Sequence, residues 1–277
     1  MPLPPVPSFK PVASPKAIVA VPKVRFTVIA DRIIRIEHSE DNIFEDRPSQ
    51  VFWYRDQFAP KFKKKITAKV VEIETDYLHL VYKIGESGFT SRNLSIKLKQ
   101  DKVTWHYGDS PVKAGNLKGT ARTLDGVAGK TKLEDGLVSK AGWSVVDDSH
   151  TLVFDQSGWL VQRKNTMINK STSKTGFNSQ DFYFFGYGHD TASLLNDYTR
   201  IAGEIPMIPR YILGNWWSRY WAYSQDELQS LMQEFRARDI PLSVCIIDMD
   251  WHITRTGNES PGWTGYTWNR ELFPDPQ

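Results

Sequence analysis

Residues 22–186 form a succession of short segments in which apolar and polar residues alternate, and this pattern restricts the chain to few folds. Period-two alternation is typical of half-buried strands, and a short polar turn between two such segments predicts a hairpin. Hairpins in series, with few helical windows among them, predict an antiparallel β-sandwich. Four hairpins are expected, in KVRFTVIADRIIRIEHS (23–39), AKVVEIETDYLHLVYKI (68–84), LSIKLKQDKVTWHY (94–107) and GWSVVDDSHTLVFD (142–155).

A glycine-rich stretch, GTARTLDGVAGKTKLEDGLVSKAGW (119–143), interrupts these hairpins. A phosphate-binding loop would end in Lys-Ser or Lys-Thr and would join a strand to a helix. Both features are missing here, so we predict a long irregular connection.

The pattern changes near residue 186 and becomes one of alternating helix and strand. HDTASLLNDYTRIAG (189–203) predicts a helix with Asp190 or Thr191 as N-cap and Gly203 as its C-terminal stop. RYILGNWW (210–217) is a candidate strand, SQDELQSLMQEFRAR (224–238) a helix, and IPLSVCIID (240–248) the next strand. The helix begins with a Ser-x-x-Glu capping box formed by Ser224 and Glu227. Strand, helix and strand in this order predict a βαβ unit with a parallel strand pair.

Composition excludes several function classes. The net charge is only +3, and the one dense basic cluster is KFKKK (61–65), so no nucleic-acid partner is predicted. No stretch is long and apolar enough for a membrane span, so no membrane partner is predicted either. The proline-rich start of the chain lacks the features of a secretory signal, which predicts a cytoplasmic protein.

An apolar run, LSVCIIDMDWH (242–252), ends in two acids and a histidine. If the strand continues through Asp248, this residue shares a face with Leu242, Val244 and Ile246, and it enters the carboxyl end of a parallel sheet, where active sites form. Three roles are open for Asp248-x-Asp250-x-His252. They are a metal or Asp-x-Asp glycosyltransferase site, recognition of sugar hydroxyls, and acid–base or nucleophilic work in glycoside hydrolysis.

Aromatic residues are dense in the same part of the chain. Aromatic rings pack against sugar rings through apolar contact, so the cluster favours a sugar ligand, although many of these side chains would serve equally as core. Six of the ten tryptophans follow residue 209, namely Trp216, Trp217, Trp221, Trp251, Trp263 and Trp268.

Ordered blocks of the sequence resemble glycoside hydrolase family 31, the family of α-glucosidases, α-xylosidases and related retaining α-glycosidases. The resemblance rests on FFGYGHD (184–190), PRYILGNWWSRYWAYS (209–224), IPLSVCIIDMDWH (240–252) and GWTGYTWNRELFPDP (262–276). Upstream, FEDRPSQVFWYR (44–55) and GTARTLDGVAG (119–129) are similar to the N-terminal β-sandwich of this family.

The resemblance implies a multi-domain chain in which a β-sandwich precedes the first βαβ portion of a (β/α)₈ barrel. We therefore expect a proline-rich extension (1–21), a β-sandwich (22–187), a connecting helix and linker (188–208), and an incomplete catalytic barrel (209–277). The family relationship also implies an α-glucoside substrate and no cofactor or metal.

The resemblance assigns roles in substrate binding to four residues. Asp248 matches the aspartate that binds sugar hydroxyls, and Tyr220 is the nearest match to an aromatic residue lining the same subsite. Asp250 and Trp251 are expected to make further contacts. The nucleophile and the general acid/base are expected on barrel strands beyond residue 277, so no catalytic residue is expected in this chain and the chain alone is expected to be inactive. A non-catalytic carbohydrate-binding or structural protein is the alternative.

Overall fold

The computed structural model describes residues 8–85, 88–121, 123–163, 166–169, 174–177, 179–255, 257 and 265–276. The chain divides into two compact units, Met1–Ile205 (unit 1) and Pro206–Gln277 (unit 2). The described strands of unit 1 are β1 (Ile18–Val21), β2 (Val24–Ala30), β3 (Ile33–Ser39), β4 (Lys63–Ile66), β5 (Val70–Glu74), β6 (Leu78–Lys83), β7 (Leu94–Leu98), β8 (Thr104–His106), β9 (Trp143–Asp147), β10 (Val153–Phe154), β11 (Leu160–Val161), β12 (Thr166–Asn169), β13 (Lys174–Phe177) and β14 (Ser179–Gly186).

Ten of these strands form two five-stranded antiparallel sheets. The first has the order β1-β2-β3-β14-β9 and the second the order β4-β5-β6-β7-β8. Three of the expected hairpins are confirmed, because β2 pairs with β3, β5 with β6, and β7 with β8. The fourth is wrong: β9 pairs with the distant β14, and β10 pairs with β11. The partner of β9 is distant in the sequence, and local alternation of apolar and polar residues cannot reveal such a long-range pairing.

The two sheets pack face to face and share one core. Phe26, Ile36 and Phe184 of the first sheet lie in the same buried cluster as Ile73 and Leu80 of the second. Burial of each such side chain contributes about 1.5–3 kcal/mol, so this shared face stabilises unit 1. The predicted antiparallel β-sandwich is therefore present in unit 1.

A helix covers the outer face of the first sheet. Helix α1 (Thr191–Ala202) places Leu194 and Ile201 in a second buried cluster with Tyr183 of β14. The carboxylate of Asp190 accepts a hydrogen bond from the Ser193 amide, as the N-cap prediction requires. Gly203 ends the helix with φ of 110°, a value that favours glycine.

An ionic network lies on that same face and was not predicted. Asp181 accepts two hydrogen bonds from the Arg35 guanidinium, at 2.8 and 2.7 Å, and one from Arg163 at 2.8 Å. Arg163 also pairs with Asp148 at 2.8 Å. All four side chains are buried. Burial alone would raise the pKa of Asp181, but Arg35 and Arg163 outweigh it and hold that pKa well below its usual range.

The described residues of unit 2 form one strand–helix–strand unit, made of β15 (Trp216–Trp217), α2 (Gln225–Ala237) and β16 (Val244–Cys245). The parallel pairing of β15 and β16 is confirmed, and so is the capping box of Ser224 and Glu227. The expected strand 210–217 is shorter than predicted, since Arg210–Leu213 forms a 3₁₀ helix.

The described part of unit 2 does not form a closed barrel, because its only sheet is the β15–β16 pair. The bounds of the four predicted segments stay predictions, and Met1 to Pro7 of the expected extension lie outside the described residues. Residues 18–21, at the end of that extension, form the edge strand β1. None of the helices described here is long and apolar enough to span a membrane.

Candidate functional site

Two turns leave the β15–β16 pair at the same end. Trp217 lies opposite Cys245 in the parallel register, and the Ile246 amide still donates a hydrogen bond of 2.9 Å to the Trp217 carbonyl. Tyr220 is the third residue after Trp217, and Asp248 is the third after Cys245. Because the strands are parallel, both residues follow carboxyl ends, which is where α/β domains place ligands.

The geometry corrects the strand prediction for Asp248. The described strand ends at Cys245, so strict alternation of side chains does not extend through Ile247 to Asp248. Asp248 instead belongs to the turn that follows the strand. Its position at the carboxyl end of β16 therefore comes from chain direction and not from strand parity.

The carboxylates of Asp248 and Asp250 are partly exposed. Neither makes a hydrogen bond or an ion pair with another of the residues that the structure describes. An ionised carboxylate accepts hydrogen bonds at two oxygens, so both groups keep acceptor capacity for a ligand. The turn is sharp, since Asp250 has φ of 55°, in the left-handed region that aspartate tolerates.

Asn269 fixes the turn at Asp250 and Trp251. Its side-chain amide donates to the Asp250 carbonyl at 3.2 Å, and its backbone amide donates to the Trp251 carbonyl at 2.8 Å. Sequence reasoning missed this residue, although it lies in the block 262–276 that carries the resemblance. An asparagine followed by Arg270 gave no signal of a long-range contact.

Trp251 lies in an aromatic cluster and is half-buried. Its ring is 5.1 Å from that of Trp268, in an edge-to-face arrangement, and 6.3 Å from that of Tyr266. Trp268 in turn contacts the buried Phe273 at 5.6 Å. This packing fixes Trp251 as a rigid wall beside the turn that holds Asp248 and Asp250. Trp263 lies outside the described residues.

Tyr220 differs from Trp251 because it is 74% exposed. Its neighbours are more constrained: the Arg219 guanidinium lies 4.7 Å from the ring centre of Trp221, a cation–π contact. Trp217 packs at 5.9 Å against Phe235 of α2, which anchors the start of this turn. An exposed ring on an anchored turn is available to a ligand.

The metal reading of Asp248-x-Asp250-x-His252 gains no support. Across the described residues, no three His, Cys, Asp or Glu side chains converge into a group that could hold a metal ion. His252 is buried, and its Nδ1 lies 3.2 Å from the Ile253 carbonyl oxygen. The structure thus does not bring these three side chains together as ligands.

Comparison with known proteins gives three findings. Residues 205–277 match the family model for the glycosyl hydrolases family 31 TIM-barrel domain. An alpha-xylosidase of Saccharolobus solfataricus is 29% identical over 141 residues, which cover 51% of this chain and 17% of the relative. Alpha-glucosidase 2 of Bacillus thermoamyloliquefaciens is 30% identical over 95 residues, which cover 34% of this chain and 11% of the relative.

The fold is also similar to solved structures. The GH31 alpha-xylosidase of Xanthomonas citri gives a TM-score of 0.58 at 13% identity, over 96% of this chain and 47% of that one. At this identity the likeness shows the fold alone. The chain matches less than a fifth of the length of the two curated relatives.

These findings place the protein in the class of chains that carry part of a glycosyl hydrolase TIM-barrel domain. Residues 205–277 are assigned to the TIM-barrel domain of glycosyl hydrolases family 31. The resemblance inferred from the ordered sequence blocks is thereby confirmed.

Proposed function

We propose that this chain supplies the substrate-recognition part of a retaining α-glycosidase that removes terminal α-linked glucose or a related sugar. The observation that carries the proposal is the parallel β15–β16 pair, because it sends the Tyr220 turn and the Asp248 turn to the same end of the sheet. The names of the curated relatives, an alpha-xylosidase and an alpha-glucosidase, support an α-glycoside as substrate.

The proposed division of labour follows from hydrogen-bonding capacity and shape. Asp248 accepts hydrogen bonds from sugar hydroxyls, and Asp250 adds a second acceptor on the same turn. Trp251 forms a fixed apolar wall, and Tyr220 offers an exposed ring against which the C–H face of the sugar packs. A carboxylate with free acceptor capacity binds a polyhydroxylated ligand better than it binds a purely apolar one.

The proposal places chemistry elsewhere than in these four residues. Retaining glycosidases need two carboxyl groups about 5–5.5 Å apart on either side of the scissile bond. Asp248 and Asp250 are two residues apart on a single turn, so we assign both to recognition. The nucleophile and the acid/base belong, on this proposal, to barrel strands later than β16.

Inactivity of the isolated chain tests that assignment. The 277-residue chain is expected to release no chromophore from an aryl α-glucoside or an aryl α-xyloside above the buffer rate. Turnover that disappears in Asp248→Asn would contradict the proposal, because it would make Asp248 part of a complete catalytic site.

The recognition role is tested in a protein that contains this chain together with the remaining strands of the barrel. Loss of one hydrogen bond to a charged group costs about 1.5–3 kcal/mol, so Asp248→Asn is expected to lower kcat/KM about 10-fold to 100-fold. The matched control is Asp239→Asn, which alters a carboxylate near the amino end of β16 and is expected to leave kcat/KM unchanged. Equal losses in the two variants would overturn the assignment.

Tyr220 is tested in the same way. Tyr220→Ala is expected to raise KM, whereas Tyr220→Phe keeps the ring and most of the affinity. Tyr211→Ala is the matched control, since Tyr211 is 60% exposed but precedes β15. A Tyr220→Ala protein with the KM of the Tyr211→Ala protein would remove Tyr220 from the site.

A further inference from the structure

Unit 1 contains an open groove that the proposed function does not use. It spans β8 and β9, which are the edge strands of the two sheets of the sandwich, and encloses about 620 Å³. The sandwich is not closed by hydrogen bonds along this side, so the groove reaches the aromatic part of the core. A volume of this size lies within the range of small-ligand sites.

The floor of the groove is aromatic. Trp105, Tyr107, Trp143 and Phe182 all line it. The ring of Trp105 lies 6.3 Å from that of Trp143, across the two edge strands, and Tyr107 lies 5.6 Å from Phe182. Trp105 and Trp143 are almost wholly buried, whereas Tyr107 is half-exposed, so Tyr107 is the ring that a ligand meets first.

The rim carries polar groups with unused hydrogen-bonding capacity. The Tyr107 hydroxyl accepts a hydrogen bond of 2.5 Å from the Gln180 side chain, and no described residue accepts its own proton. One oxygen of Asp147 accepts from the Ser149 amide at 2.9 Å, and one oxygen of Asp109 accepts from the His106 amide at 2.8 Å. The second oxygen of each carboxylate makes no hydrogen bond to a described residue.

The charge of the rim selects among ligands. Asp109, Asp147 and His150 line the groove, and the described lining includes no lysine or arginine. Carboxylates repel an anion, and a purely apolar ligand would desolvate them without replacing their lost hydrogen bonds. Burial and the nearby Asp147 carboxylate raise the pKa of Tyr107, so its hydroxyl stays protonated and is able to donate at neutral pH.

We infer that this groove is an accessory binding site for a neutral saccharide, distinct from the Asp248 site. The C–H face of one pyranose ring packs on Tyr107, its hydroxyls donate to Asp109 and Asp147, and one of its oxygens accepts the Tyr107 proton. The site would hold the enzyme on its glycan or deliver a chain end. The inference rests on unit 1 alone and does not depend on the proposed activity.

Calorimetric titration of the intact 277-residue chain with methyl α-D-glucopyranoside tests the inference. Asp147→Asn keeps the acceptor for the Ser149 amide and removes the charge, so affinity is expected to fall about tenfold. Asp109→Asn, which replaces one carboxylate by an amide, and Tyr107→Phe, which removes one hydroxyl, are expected to weaken binding as well. Asp125→Asn, an exposed carboxylate outside the groove, is the matched control and is expected to bind as the unaltered chain does.

Two further arms separate this site from the Asp248 site. Binding that survives in Asp248→Asn but falls in Asp147→Asn supports the groove, whatever the outcome for the proposed activity. Binding that falls only in Asp248→Asn overturns the groove and leaves the proposed function intact. Sodium glucuronate, the anionic analogue, is expected to bind at least tenfold more weakly than the glucoside, and equal binding would overturn the charge argument.

Discussion

Units 1 and 2 differ in how many of their apolar side chains are buried. Unit 1 encloses a core between two sheets and a second cluster under α1, whereas the described part of unit 2 buries only Leu228 and Phe273 among its hydrophobic residues. Large apolar side chains of unit 2 are left exposed, among them Leu213, Trp216 and Tyr266. A parallel sheet needs cover on both faces, and these exposed apolar side chains leave the β15–β16 pair of the described unit 2 without such cover.

This contrast also separates the two kinds of function. In unit 1, the buried side chains of Arg35, Arg163, Asp148 and Asp181 pair with one another. In the groove, by contrast, Asp109 and Asp147 each have one carboxylate oxygen without a hydrogen bond to a described residue. Unit 2 keeps the carboxylates of Asp248 and Asp250 without a described partner, at the carboxyl ends of two parallel strands.

The largest expected effect concerns the buried network of unit 1. Asp181→Asn leaves Arg35 and Arg163 without their shared counter-charge and is expected to lower the free energy of unfolding by about 3–5 kcal/mol. Chemical denaturation followed by circular dichroism measures the change. Glu74→Gln, which breaks an exposed pair with Lys99, is the control and is expected to have little effect. Similar losses in both variants would contradict a structural role for the network.

Acidification is expected to close the gap between the unaltered chain and Asp181→Asn. The folded pKa of Asp181 is depressed, so its contribution is present above the unfolded value of about 3.9 and is lost as pH falls further. Burial and the nearby Asp181 charge raise the pKa values of Glu37 and Asp148, which favours folding of the unaltered chain at low pH. Stabilities measured from pH 7 to pH 2 should begin to converge below about pH 4 and should keep converging as pH falls towards the depressed folded pKa. A gap that stays constant over this range would show that the charge of the Asp181 carboxylate is not its cause.

Two leucine substitutions compare the enclosed core of unit 1 with the exposed apolar surface of unit 2. Leu80→Ala removes a fully buried side chain from the shared core and is expected to cost about 2–5 kcal/mol. Leu213→Ala alters a side chain that is 76% exposed and is expected to change stability by less than about 0.5 kcal/mol. Denaturant unfolding gives both values. If Leu213→Ala costs as much as Leu80→Ala, the surface of unit 2 is not open in solution.

The smallest expected effect is local to α2. Ser224→Ala removes the side-chain acceptor for the Glu227 amide but keeps the hydrogen bond from the residue-224 backbone amide to the Glu227 carboxylate, and it is expected to destabilise the helix by about 1 kcal/mol. Ser230→Ala, in the exposed middle of the same helix, is the control and is expected to stabilise it slightly. Amide hydrogen exchange along 225–237 reports both changes. Unchanged protection in Ser224→Ala would show that packing of Leu228, and not the cap, holds the helix start.

Local patterns in the sequence predicted the local structure. The β2–β3, β5–β6 and β7–β8 hairpins follow from alternation around polar turns, and both ends of α1 and the start of α2 follow from their caps. The β9–β14 pairing and the Arg35–Asp181 pair could not be predicted, because residues 35 and 181 are separated by 146 positions. The chain direction at Asp248 was predictable from the βαβ order, but the Asn269 contact that fixes the turn depends on a distant block.

We propose that sugar recognition in unit 2 occurs at the carboxyl ends of β15 and β16. Amide chemical shifts of the chain, followed by NMR during titration with methyl α-D-glucopyranoside, locate the bound sugar. Shift changes are expected within 218–223 and 246–251, and they should disappear in Asp248→Asn and persist in Asp239→Asn. Changes restricted to the amino ends of the two strands, or identical changes in the two variants, would contradict it.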